Sequence, residues 1–267
     1  MTTNIMTGLD SIAAMFARAK AQNRAAFLPY FPIGYPDYQT SLDTIAAMAE
    51  SDVDGFEIGI PFSDPLADGP VNQAAMQVAL ENGTTVKKCL DAVRTLREKG
   101  VTQPMLMMGY LNPLLTYGIE AFVQDAKLAG ADGFIIPDLP PEEGALFSEI
   151  CAREGLALVF FLAPTSNAER ITIVGKKASG FIYVVALTGV TGERRQLPPD
   201  LAEFIARVKA NVDKPLVMGF GIGTPEQARA MNGLVDGFAV GSALVRAGKQ
   251  GVEPVRELAA SLRNALD

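Results

Sequence analysis

The chain has 267 residues, 49% of them apolar, with a formal net charge of −7 and no histidine. Its length allows one large domain or two small ones and its apolar fraction is ample for a sizeable core, while an acidic balance without a basic stripe argues against a nucleic-acid footprint. Without histidine there is no Ser-His-Asp or Cys-His arrangement and no His-ligated zinc, so acid-base work falls to Asp, Glu, Tyr, Lys or Cys. No apolar run approaches the ~20 residues of a spanning helix. The N-terminal region carries Asp10, Arg18, Lys20 and Arg24 where a signal peptide would be apolar, so a cytoplasmic location is the default expectation. Cys89 and Cys151 lie far apart without metal-ligand spacing and read as unpaired thiols in helices.

In chain order, Asp10 to Lys20 reads as a helix ahead of the first strand. Apolar runs then follow at AFLPYFPIG from Ala26, DGFEIGIP from Asp54, PMLMMGY from Pro104, DGFIIPDLP from Asp132, LALVFFLAP from Leu156, SGFIYVVAL from Ser179, PLVMGFG from Pro215 and DGFAVGSAL from Asp236. Near-continuous apolar runs suit parallel strands buried on both faces. Helix-like stretches fill the gaps, among them Leu42 to Glu50, Val86 to Lys99, Ile119 to Leu128, Glu142 to Arg153, Leu201 to Ala210 and Pro225 to Met231, and Val252 to Leu266 closes the chain. Eight such units with no linker predict an α/β fold, a single (β/α)8 TIM barrel over residues 1–267 with an extra N-terminal helix. A doubly wound open sheet is the alternative. Gly-Phe recurring on alternate strands favours closure, because a barrel interior takes its side-chain layers from alternate strands.

In such a barrel the C-terminal strand ends face the active site. Glu57 is a carboxylate inside the apolar second strand, on the face that it shares with Gly59, where the glycine leaves room for something other than side chains. Asp64 and Asp68 follow in turn-forming contexts, Ser63-Asp64-Pro65 and Asp68-Gly69-Pro70. Asp64 is assigned to the turn. Tyr110 and Asn112 end the third strand, Asp138 ends the fourth and is read evenly as loop-shaping or site-lining, and Tyr183 lies in the sixth. After strand seven, GFGIGTPEQ from Gly219 supplies glycines, then Thr224 as N-cap, Pro225 at the first helical position and Gln227 to complete a capping box. Strand eight ends on Gly241-Ser242 at a helix start. Free backbone N-H groups at these two ends make an anion site, with a phosphate monoester as ligand. Arg229 is the one basic residue between Pro215 and Val245, so amides and the Ser242 hydroxyl, rather than Lys or Arg, are expected to hold the anion. The loop from Leu187 to Pro198, with its glycines, threonines and Glu-Arg-Arg patch, reads as a lid or a plain solvated loop.

FEIGIPFSDPLADGP, Phe56 to Pro70, closely resembles the signature of the tryptophan synthase alpha chain. The likeness continues through LPYFPIGYPD, MLMMGYLNP, IIPDLPPEE, TGVTG, FGIGTPEQ and VGSALV, in an order and spacing that fit one barrel. The resemblance implies a lyase that cleaves indole-3-glycerol phosphate to indole and glyceraldehyde 3-phosphate in a retro-aldol reaction. It implies no cofactor in this chain and pyridoxal phosphate in a beta-chain partner that receives the indole, as an alpha2beta2 assembly. It further implies that Glu57 protonates the indole ring at C3 and helps take the glycerol hydroxyl proton, that Asp68 accepts a hydrogen bond from the indole N-H, and that Tyr183 lies beside Glu57. By the same carry-over Gly192, Gly221, Gly241 and Ser242 cradle the phosphate, with Gly223 a neighbour. Tyr30, Met108, Ile135 and Phe220 wall the indole pocket, and Thr191 links the lid to Asp68.

Burial in an apolar strand raises a Glu pKa toward the working pH, whereas Asp68, on a turn-rich loop, is expected to stay ionised. Pro32, Ala186 and Leu187 depart from the family pattern near the pocket and the lid. The Phe62 to Asp68 loop and residues near Asn112 to Leu114 are the candidate partner surface. A free-standing lyase and a catalytically silent phosphate-binding barrel are the competing readings.

Overall fold

The computed structural model describes residues 7–185, 200–219 and 221–267. Eight strands close into one parallel barrel in chain order: β1 (Ala26–Pro32), β2 (Phe56–Gly59), β3 (Met105–Met108), β4 (Gly133–Ile135), β5 (Ala157–Leu162), β6 (Ile182–Val185), β7 (Leu216–Gly219) and β8 (Gly237–Val240). The helices are α1 (Leu9–Ala21), α2 (Tyr38–Ala49), α3 (Pro70–Glu81), α4 (Val86–Glu98), α5 (Leu111–Tyr117), α6 (Ile119–Ala129), α7 (Ala145–Glu154), α8 (Ala168–Lys177), α9 (Leu201–Lys209), α10 (Pro225–Arg229), α11 (Ser242–Gly248) and α12 (Val252–Asn264). The closed sheet excludes the doubly wound alternative. Among the described residues no helix is long and apolar enough to cross a membrane. Cys89 in α4 and Cys151 in α7 are buried and unpaired.

Two helices not picked out in the sequence have local reasons to escape notice. Pro70, which looks like the end of a turn, sits at the first position of α3, where its missing N-H costs nothing. In α8 the run Ile171-Thr172-Ile173-Val174 is β-branched and favours strands by propensity, yet Asn167 caps the helix by accepting the Arg170 N-H at 2.8 Å. The closing helical region is split, because Gly251 at φ 108° intervenes between α11 and α12.

The recurring Asp/Ser-Gly-Phe triplet marks the foot of the barrel. Its first residue reaches back to a backbone N-H of the preceding odd strand at all four sites. Asp54 accepts from Phe27 at 2.9 Å, Asp132 from Met105 at 2.7 Å, Ser179 from Leu158 at 2.8 Å and Asp236 from Leu216 at 2.9 Å. The glycine then leaves room beneath the barrel for α1: a Cβ on Gly55 would lie 2.8 Å from Met15 Sδ, and one on Gly237 would lie 3.3 Å from Phe16 Cε1. The phenylalanines do not all fill the interior in the alternate-strand layers expected of a barrel; Phe181 meets Phe16 of α1, with ring centroids 5.8 Å apart. At β4, Phe134 packs on Phe122 of α6 at 5.1 Å and on Phe147 of α7 at 5.4 Å, in the layer between sheet and helices. The triplet therefore supports closure through strand-to-strand staples and a plugged floor.

Two of these staples carry buried ion pairs. Arg24 grips Asp54 with Nη1 to Oδ2 at 2.5 Å and Nη2 to Oδ1 at 2.9 Å, both side chains being 1% exposed. Arg97 donates to Asp132 at 2.6 Å, and burial still lifts the Asp132 carboxyl to about 6 against the pull of that arginine. Buried acids with arginine partners thus sit at the foot, the end that serves stability in this architecture.

Candidate active site

Among the described residues Glu57 has no such partner. It is the second residue of β2, in register with Tyr30 on one side and Leu106 on the other, and it is 1% exposed. Burial raises its pKa from 4.5 to about 8; a hydrogen bond from the Tyr183 hydroxyl works the other way, and the nearby Asp68 charge adds to the rise. Burial and the Glu57 charge hold Tyr183 well above its ordinary value, so its hydroxyl remains a donor.

Glu57, Tyr30 and Tyr183 line a cavity of about 900 Å³, counting its open mouth, together with Gly221, Gly241 and Ser242. Strand-end glycines seat both tyrosines. A Cβ on Gly59 would lie 2.7 Å from Tyr30 Oη, and one on Gly219 would overlap the Tyr183 ring. The room above Gly59 is therefore taken by a phenol, contrary to the expectation of an open space. Met108 and Ile135, which share the register of Gly59, are buried in the barrel wall, and Tyr30 lies over Gly59. Thr191, Gly192 and Phe220, with Ala186 and the loop from Leu187 to Pro198, lie outside the described residues.

Asp68 stands one layer behind the cavity wall and is 3% exposed, buried rather than displayed on a turn. Tyr110 Oη donates to its Oδ2 at 2.6 Å and Asn72 Nδ2 to its Oδ1 at 2.9 Å. Burial raises the Asp68 pKa while these two donors oppose the rise. The Tyr110 hydroxyl also accepts the Ala67 N-H at 3.1 Å, tying the loop after β2 to the end of β3. Asn72 went unassigned in the sequence, although its i,i+4 spacing from Asp68 across the start of α3 was a usable signal. Asp64 accepts from the Ser63 hydroxyl and its carbonyl takes the Leu66 N-H at 2.9 Å, a turn role as expected. Asp138 shapes a loop: its Oδ1 accepts the Leu111 N-H at 2.9 Å, where α5 begins.

At the other wall, Gly221 has φ 87° with open space where a Cβ would be, so the backbone conformation is what calls for glycine. The capping box at Thr224 and Gln227 is present. Gln227 Oε1 takes the N-H groups of Gly223 at 2.9 Å and Thr224 at 3.2 Å, which commits those two amides to the protein rather than to an anion. A cation is present after all. Arg246, the residue after Val245, lies one turn after Ser242 on α11 and lines the same cavity, whereas Arg229 is turned away to the Ala265 carbonyl at 3.0 Å. Among the described residues no group of three or more Cys, Asp and Glu could hold a metal ion.

A closed parallel barrel with a buried carboxyl of raised pKa beside a cavity at its C-terminal strand ends defines a TIM-barrel enzyme of the acid-base type. A family model described as "Tryptophan synthase alpha chain" matches residues 16–265, and the chain belongs to that family, the lyases that cleave indole-3-glycerol phosphate in tryptophan biosynthesis. The alpha chain of Chloroflexus aggregans is 46% identical over 237 residues, 89% of each chain. That of Synechococcus elongatus is 41% identical over 261 residues, 97% of this chain and 98% of its own. A chain of Mycobacterium tuberculosis tryptophan synthase superposes with a TM-score of 0.91 at 36% identity, covering 98% of this chain and 99% of that one. The alpha chain of Legionella pneumophila gives 0.88 at 34% identity, with 96% and 97% covered.

Proposed function

We propose that Glu57 performs both proton transfers of the family's reaction. Its protonated carboxyl gives a proton to C3 of the indole ring. The resulting carboxylate takes the proton of the neighbouring chain hydroxyl as the C–C bond breaks, the aldehyde forms and the bonding pair returns to the ring. The proton count closes on one side chain. The observation that carries this is a buried carboxyl raised to about 8 by burial, with Tyr183 and Asp68 as the described side chains that act on it, on the cavity that also holds Gly221, Gly241 and Ser242. In this reading Asp68, steadied by Tyr110 and Asn72, accepts from the indole N-H and balances the positive charge of the protonated ring. Gly221, Gly241 and Ser242 hold the phosphate, with Arg246 supplying charge at the mouth.

An acid that must start protonated sets an alkaline limit. kcat/KM is expected to fall on the high-pH side with an apparent pKa near 8, the value to which burial raises Glu57. A flat profile from about pH 6.5 to 9.5 would remove Glu57 as the acid.

The chain is further proposed to act in the cytoplasm as the alpha subunit of a two-component synthase, passing indole to a beta chain that carries pyridoxal phosphate. Leu66, 88% exposed on the loop between β2 and Asp68, and Leu115, 53% exposed on α5, give the candidate partner surface an apolar content that water disfavours. Because Leu66 and Asp68 share one loop, contact there would bear directly on the site. Indole release measured with and without a tryptophan synthase beta chain tests this: stimulation is expected, and full turnover alone with no response to the partner would favour a free-standing lyase.

A further inference from the structure

Three buried side-chain oxygens on residues that line the cavity have no hydrogen-bond partner among the described residues: Glu57 Oε1, Tyr30 Oη and Asn72 Oδ1. The first belongs to the proposed acid and the second lies over Gly59. Nothing so far accounts for the third. The sense of the Asn72 carboxamide is settled by its neighbour. Asp68 Oδ1, 2.9 Å away, is a carboxylate oxygen and accepts, so the atom facing it is the amide nitrogen and the other edge is an acceptor. A buried acceptor without a donor is costly, and native proteins seldom leave one so.

The position of the amide indicates what would satisfy it. Asn72 is the third residue of α3, and a Cβ on Gly241 would lie 3.5 Å from its Nδ2. The side chain therefore reaches from Asp68, the proposed indole end, to the start of α11, the proposed phosphate end. Between the ring and the phosphate of the ester runs a hydroxylated three-carbon chain. A hydroxyl is a donor of the kind that Oδ1 lacks.

We propose that Asn72 is a binding and positioning residue of the substrate chain, holding Asp68 through Nδ2 and accepting a hydrogen bond from a chain hydroxyl through Oδ1. The assignment rests on the proposed function and adds a residue and a substrate group to it. Asn72→Ala keeps a good helix former at that position. The variant and the parental chain are compared in kcat and KM with indole-3-glycerol phosphate and in Kd for indole-3-propyl phosphate, which has the same ring and phosphate without the hydroxyls.

The variant loses the Nδ2–Asp68 bond with either ligand and the Oδ1 acceptor only with the hydroxylated ester, so kcat/KM for the ester is expected to fall by about tenfold more than the affinity for the deoxy analogue. Retained binding of the analogue also reports a folded pocket. Equal losses on both ligands would mean that Asn72 only shapes the cavity, and no loss on either would mean that it does not touch the chain; each result overturns the assignment. If the parental chain itself fails to cleave the ester, the proposed function falls first and this inference with it, an outcome distinct from a parental chain that cleaves and an Asn72 variant that does not differ.

Discussion

Glu57→Gln is expected to lower kcat for indole-3-glycerol phosphate cleavage by about 10²- to 10⁴-fold, the usual contribution of a positioned acid-base group, while the affinity for the ester stays within about threefold. Glutamine matches the shape of glutamic acid and can still accept the Tyr183 hydrogen bond, but it has no proton to give to carbon and cannot take one from oxygen. The phosphate end of the cavity, at Gly221, Gly241 and Ser242, is built on other strands and is left alone. Cleavage near the parental rate would end the acid-base assignment.

The same variant has a thermodynamic signature. The folded chain holds the Glu57 proton up to about pH 8, whereas an unfolded Glu releases it near its ordinary 4.5. The folded state therefore binds the extra proton in that window, and the parental chain loses stability as pH rises from about 5 to 8. Glutamine does not titrate, so the Tm of the variant relative to the parental chain is expected to rise across that window and be level below it. A Tm difference independent of pH would show that Glu57 does not hold its proton in the folded chain. Function at this position is sustained at a cost to stability, as at other strained or desolvated sites.

Asp54→Ala is expected to be the opposite case, destabilising by about 3–5 kcal/mol because it leaves the Arg24 guanidinium buried without its bidentate partner. The Phe27 N-H loses its acceptor as well. For a chain of this size that corresponds to a fall in Tm on the order of 10 °C. At a temperature where the variant remains folded, kcat should stay near the parental value, since the pair lies at the foot of the barrel, away from the cavity. The double change Arg24→Met with Asp54→Leu removes both charges and should recover most of the loss, since the cost comes from an unpaired buried charge rather than from a missing attraction. If Asp54→Ala left Tm unchanged, the staple would have no energetic role.

Glu57 and Asp54 lie three residues apart in one apolar run, and the run alone separates them only in part. The repeat shows that Asp54 recurs in kind at Asp132 and Asp236 and that Glu57 does not recur at all. The arginine partners come from distant parts of the chain, Arg24 on the preceding connection and Arg97 from α4, so pairing at the foot and isolation at the top became visible only when the barrel closed. Tyr30 filling the space over Gly59 is similar: alternation shows which residues share a face, but not whether a neighbouring strand sends a ring across it. Arg246 lies just beyond the glycine-rich stretch that marks the anion site, and only its i,i+4 spacing from Ser242 points to it in the sequence.

Local pattern was sufficient for the eight-strand barrel, the extra first helix, the capping box at Thr224, the turn role of Asp64 and the singling out of Glu57, because each rests on periodicity, backbone preference or the oddity of a charge among apolar neighbours; Asp68 is set apart from Asp64 only by the resemblance of their segment to the family signature. The elevated pKa of Glu57 was expected in direction, since burial alone dictates it. Which polar groups meet was decided by tertiary structure: Tyr110 and Asn72 converging on Asp68, Tyr183 on Glu57, and Arg246 joining Ser242 at one cavity. Those contacts join residues on different strands and helices, and their distances depend on the closure of the barrel and the register between its strands.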